Sequence, residues 1–154
     1  MNSNTSPEAP EMTKHFIGTK IVIALAMTRL AYNDYRGWDL PADENGADEG
    51  YLVEYTDGGA PNHPDHAGYI SWSPKAQFDA GYVSVGDVGH LPPHQQRVVA
   101  ELEQLSDRVT KLEAFLATPL YASLPDDEQQ LLKMQADAMV LYMGILNTRV
   151  AKFA

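Results

Sequence analysis

At 154 residues, with 44% hydrophobic and 21% charged side chains, the chain can bury one core, or two small modules that lean on each other or on partner subunits. It contains no cysteine, which excludes disulfides, thiolate chemistry and cysteine-ligated zinc and suits a reducing cytoplasm. The formal charge of −10 divides unevenly: residues 1–89 carry 13 acidic and 5 basic side chains, residues 90–154 carry 8 and 6. Such a balance repels polymeric nucleic acid, whose binding leans on extended Lys/Arg surfaces. A ligand with two or three phosphates needs only a few focused arginines, which an acidic protein can still supply.

Residues 1–11 hold Ser, Asn, Pro and Glu with little apolar content, and are expected to be a disordered tail. They do not read as a signal peptide, and the longest apolar run, Ile21–Met27, is too short to cross a bilayer, so no membrane partner is expected. From Phe16 to Met27 the β-branched and aliphatic pattern predicts a strand buried on both faces. Thr28 is then a candidate N-cap and Gly37 a candidate stop for a short helix, and residues 40–50 read as a loop rich in Pro, Gly and acids. Tyr51–Tyr55 has strand propensity, followed by the turn signal Asp57-Gly58, and a strand at Tyr69–Trp72 should pair with it across a loop holding His63 and His66. Ser73-Pro74 has the cap and first-position chemistry of a short helix running to about Ala80.

Beyond the Gly/Pro-rich segment 84–93 the periodicity changes. Val98, Leu102, Leu105, Val109, Leu112 and Leu116 form the seam of an amphipathic helix that Thr118-Pro119 ends. A second seam, Leu132, Ala136, Met139, Met143, Leu146, Val150 and Phe153, follows an opening with Ser123 or Leu124 before a proline and an acidic first turn. A short connection makes the two helices an antiparallel hairpin. Phe115, Leu131, Leu141 and Ile145 fall outside the seams and require other cover, from the sheet or from neighbouring subunits, so an oligomer is expected. The expected architecture is α+β: a tail at 1–11, a small antiparallel-sheet module at 12–83, a linker at 84–93 and a two-helix hairpin at 94–154.

Catalytic signals are sparse. There is no HEXXH or HD-type metal pattern, no GxSxG elbow and no P-loop. His63-Pro64-Asp65-His66 reads as a solvated turn rather than a metal site, the acids of residues 43–49 lack EF-hand spacing, and Ser73 reads as a cap rather than a nucleophile. Trp72 and Tyr69 read as core or interface residues rather than base-stacking platforms. No enzyme, metal or cofactor is expected. The hairpin offers more: Gln135, Tyr142 and Arg149 lie on one line of the second helix, and Arg97, Gln104 and Lys111 recur at the same interval on the first, with Arg108 nearby. An aromatic face with cations beside it suits a nucleotide; charges flanking a helical seam also commonly form solvated ion pairs.

Residues 94–153, with RVV and KLEAF on the first helix, LPDDEQQLL at the turn, an M-x-x-Y step and the closing L-x-x-R-V, resemble the hairpin shared by two phage sponge families. One comprises the anti-CBASS cyclic-oligonucleotide sponges, the other the Thoeris anti-defence sponges. The stretches IGTKIV, MTRLAYNDYRGW, EGYLVEY and GYISWSPKAQF resemble a small phage module that precedes other domains. A sheet module joined to the hairpin is the arrangement of the Thoeris sponges. The resemblance implies a homo-oligomer, specifically a hexamer, in the cytoplasm of the infected bacterial host. It also implies reversible capture, without cleavage, of glyco-cyclic ADP-ribose and, in some members, of cyclic di- and trinucleotides. Family pockets use an aromatic ring for adenine and arginines for phosphate, which makes Phe115, Tyr142, Arg97, Arg108, Lys111 and Arg149 the candidate ligand-binding residues. The rival expectation is a phage structural or protein-binding accessory whose hairpin serves only for oligomerisation.

Overall fold

The computed structural model describes residues 12–154, so the segment expected to be a disordered tail lies outside the described residues. The fold is α+β. Three antiparallel strands, β1 (Ile23–Ala26), β2 (Gly50–Tyr55) and β3 (Tyr69–Pro74), lie in the order β1-β2-β3 with helices α1 (Arg29–Arg36) and α2 (Lys75–Gly81). Helices α3 (Pro93–Leu116), α4 (Pro119–Ala122) and α5 (Asp126–Val150) follow.

Strand register sorts the side chains. Leu52 pairs with Trp72 and Glu54 with Ile70, which places all four on one face, and Tyr51, Val53 and Tyr55 on the other. Helix α1 covers the first face: Tyr32 packs on Leu52 and Ile70, with Met27 and Trp72 at the margin. On the opposite face Phe78 of α2 meets Tyr51 at 4.3 Å and stacks on Tyr82 at 4.6 Å. Gly50 permits the closest approach in this layer, since a Cβ there would strike the Trp72 ring and the Ser73 carbonyl.

The ends of α1 follow the sequence. Thr28 Oγ1 accepts from the Ala31 amide at 3.2 Å, and Gly37 terminates the helix at φ 70°, with Trp38 N–H returning to the Asn33 carbonyl at 2.8 Å. Two expectations are corrected. The strand predicted across residues 16–27 is four residues long and exposed on both faces, with Ile23 and Leu25 at 59% and 60% exposure. Ile23 pairs with Glu54, and β2 ends one residue later, so the residues preceding Val22 have no strand opposite them. Ser73 is a strand residue, and α2 begins after Pro74 without a side-chain cap. β2 and β3 pair as expected across the loop holding His63 and His66, with Asp57-Gly58 opening that connection between Tyr55 and Tyr69.

Helices α3 and α5 pack antiparallel through the two expected seams: Val98, Leu102, Leu105, Val109 and Leu146 are buried, with Met139, Met143, Val150 and Phe153 packed around them. At the turn Thr118 caps α4, and buried Tyr121 donates its hydroxyl to the Gln129 carbonyl at 3.1 Å while Gln129 Nε2 donates to the Leu124 carbonyl at 2.8 Å. Helix α5 starts after Pro125 without a side-chain cap, with Asp126, Asp127 and Glu128 against its positive end. The sheet core and the hairpin core share no residue. The sheet leaves the outer face of α5 uncovered: Leu131, Leu141 and Ile145 are 63%, 70% and 53% exposed. No helix of the described residues is long and apolar enough to cross a membrane.

Candidate functional site

Helix α5 carries two apolar seams. The inner one fills the hairpin core; the outer one, Leu131, Met134, Ala138, Leu141 and Ile145, repeats the 3,4 spacing and faces outward. Between the two lies the line of Gln135, Tyr142 and Arg149. Tyr142, 40% exposed, donates its hydroxyl across the groove to Glu101 Oε1 of α3. That hydrogen bond to a carboxylate raises the phenol's pKa above its ordinary value, partial desolvation adds to the rise, and the nearby Arg149 opposes it. Tyr142 therefore remains a neutral donor.

The contact of Tyr142 with Glu101 fixes where the six sequence candidates sit. With a rise of about 1.5 Å per residue, Arg97 lies about 6 Å along α3 from Glu101, toward the end of the hairpin that also holds Arg149. Arg149 is near enough to act on the Tyr142 phenol, and Arg97 lies toward the same end of the hairpin beside it. Arg108 is displaced about 10 Å in the opposite direction, Lys111 about 15 Å and Phe115 about 21 Å. Lys111 pairs with Asp107 at 2.7 Å, whereas Arg97, Arg108 and Arg149 make no ion pair among the described residues. Phe115 packs edge-on against Tyr121 at 6.1 Å and belongs to the turn. The six do not converge on one pocket within a single hairpin. Sequence reasoning missed Glu101, whose carboxylate satisfies the Tyr142 hydroxyl; its position within an i, i+4 pair with Arg97 was the available signal.

The histidine loop is more ordered than a solvated turn. His66 Nδ1–H donates to Glu54 Oε1 at 2.6 Å, since a carboxylate only accepts, which leaves Nε2 to accept from the Tyr35 hydroxyl at 2.7 Å. Tyr35 also stacks on His63 at 4.5 Å. Among the described residues no group of three or more His, Asp or Glu side chains is arranged to hold a metal ion.

The chain thus joins a small antiparallel sheet to a helical hairpin with a cation–aromatic flank. Residues 92–152, which contain α3, α4 and α5, match the family model described as Sequestin. The match covers the hairpin and none of the strands. No curated protein and no solved structure matches the chain.

Proposed function

We propose that this protein is a phage anti-defence sponge: it binds a small cyclic nucleotide immune signal through its hairpin, holds it reversibly and breaks no bond. The observation that carries the reading is the Arg97–Tyr142–Arg149 patch lying beside an uncovered apolar seam, in the segment that matches the Sequestin model. The family's name denotes sequestration, which supports capture over turnover. The outer seam of α5 takes a second hairpin, and the patch on one subunit then faces a neighbour rather than water. Aromatic rings stack on bases, guanidinium groups meet phosphates, and enclosure strengthens both contacts. Glyco-cyclic ADP-ribose is the first candidate ligand, cyclic di- and trinucleotides the second, and the assembly is a homo-oligomer, as a hexamer in the fullest form of this reading.

The test is thermal shift of the full chain with glyco-cyclic ADP-ribose, cyclic GMP-AMP, cyclic di-adenylate and cyclic tri-adenylate, followed by recovery of the ligand after heating. A sponge at 100-fold excess over its dissociation constant gains about 2.7 kcal/mol of apparent stability. The ligand should return intact, and Arg149→Ala should abolish the gain. Absence of any shift across the panel would leave the hairpin as an assembly device in a structural accessory; a cleaved product would make the protein an enzyme.

A further inference from the structure

The sheet module holds a cleft of about 260 Å³ along the free edge of β3, below the lower end of the about 300–1,000 Å³ common for small-molecule sites. Two arginines and the exposed rings of Trp38 and Tyr69 converge there. Gly37, at φ 70°, turns the chain so that Trp38 doubles back, and the Arg36 guanidinium lies over its indole at 4.3 Å. Arg29 lies over Trp72 at 5.0 Å. The opposite wall is pinned: Asn62 makes two 2.8 Å hydrogen bonds to the backbone of Ile70, as a neighbouring strand would, and Tyr35 holds the same loop through His63 and His66. The cleft is therefore built before any ligand arrives.

Its charge is specific. Arg29 is spent on a bidentate pair with Glu44, at 2.7 and 2.9 Å. Arg36 has no carboxylate partner among the described residues, and its Nη1 is buried without a hydrogen-bond acceptor. The guanidinium also lies against the Tyr32 hydroxyl, and its remaining buried N–H is a donor that an anion in the cleft would satisfy. Beside it Trp38 is 52% exposed and Tyr69 46% exposed, so each has ring surface open to a planar group.

From this juxtaposition we infer that the sheet module binds a mononucleotide-sized ligand, one phosphate on a planar heterocycle, with Arg36 meeting the phosphate and Trp38 stacking on the ring. A single uncompensated cation suits one phosphate. The small, open cleft suits one nucleotide unit seated partly in solvent. The site is independent of the hairpin patch and does not rest on the sponge reading.

The chain's only two tryptophans, Trp38 and Trp72, both line this cleft, so intrinsic fluorescence reports on it directly. The experiment titrates the full-length protein with AMP, GMP, CMP and UMP, and then with the nucleoside of the best binder. The expected result is saturable quenching by at least one mononucleotide. Its nucleoside, and the mononucleotide on Arg36→Gln, should each bind about tenfold or more weakly, the loss of a charge-assisted contact. No saturable response to any of the four at millimolar concentration overturns the inference. So does equal affinity for nucleotide and nucleoside in the wild-type chain, a comparison that holds even if Arg36→Gln does not fold.

Discussion

Leu146→Ala tests whether the two cores are energetically separate. Leu146 is fully buried among Val98, Leu102, Leu105 and Val109, so truncation removes the side chain at the centre of the hairpin and leaves a cavity that two long helices cannot easily close. Comparable substitutions cost about 2.7–5 kcal/mol, and about 3 kcal/mol is a fair figure for a core open along one side. If the hairpin melts as its own unit of roughly 60 residues, that loss lowers its Tm by about 12–24 °C; if the whole chain melts as one, the drop is about 6–12 °C. Two probes separate the cases at one fixed protein concentration. Far-ultraviolet circular dichroism is dominated by α3 and α5, whereas both tryptophans lie in the sheet module. Leu146→Ala should move the helical transition and leave the tryptophan transition in place. Coincident shifts of both probes would refute the separation, whatever their size.

Two further outcomes follow from backbone and charge. Gly37→Ala should destabilise the sheet module by about 1–2 kcal/mol, the cost of a left-handed conformation for a residue with a Cβ, because no neighbour lies within 4 Å and backbone strain is the whole effect. Gly144→Ala, also with open space around it but inside α5, should instead stabilise the hairpin by up to about 1 kcal/mol, and urea melts that move both variants the same way would contradict the assignment. Glu54 is held below its ordinary pKa, first by the hydrogen bond from His66, with burial opposing and the Gly68 amide assisting. A carboxylate with a depressed folded pKa adds stability that is complete above the ordinary glutamate range and is lost as pH falls from there through the lowered value. Acid unfolding followed by tryptophan fluorescence should therefore have a shallower acid limb in Glu54→Gln than in wild type; superimposable acid limbs would count against the linkage.

The elements most legible in the sequence were those whose local chemistry and tertiary packing agree. The seam from Val98 to Leu116, the cap at Thr28 and the stop at Gly37 are satisfied within a few residues of themselves. β1 was misread because a β-branched run reports propensity but not position in a sheet; only the register with Glu54 shows that β2 ends before Phe16–Ile21 could pair. Ser73-Pro74 failed for a related reason, since pairing of Ser73 with Tyr51 keeps it in the ladder and denies it the cap geometry. For the candidate site, periodicity placed Tyr142 and Arg149 on one line, yet the separation of Phe115 and Lys111 from them depends on how α3 and α5 are staggered. The cleft was hidden because it joins Arg36 and Trp38 to Asn62 and Trp72 across a long loop, although Arg-Gly-Trp after a short helix already contained the fold-back.

Acidity and anion capture are compatible here because of where charge is neutralised. Arg29 is offset by Glu44, and Lys111 by Asp107, so these cations add little field of their own. Arg36, Arg97 and Arg149 are left unpaired among the described residues. An open flank carrying Arg97 and Arg149 would bind phosphate weakly, since water and salt screen exposed charges. The same flank buried against another hairpin has no such screening, and the Glu101 carboxylate that holds Tyr142 then also repels any ligand that does not bring enough contacts to offset it. Under the sponge proposal, that combination would favour a small, densely charged signal over singly charged metabolites. The exposed apolar seam of α5 would then serve binding as much as assembly, because only a contact along it could enclose the patch.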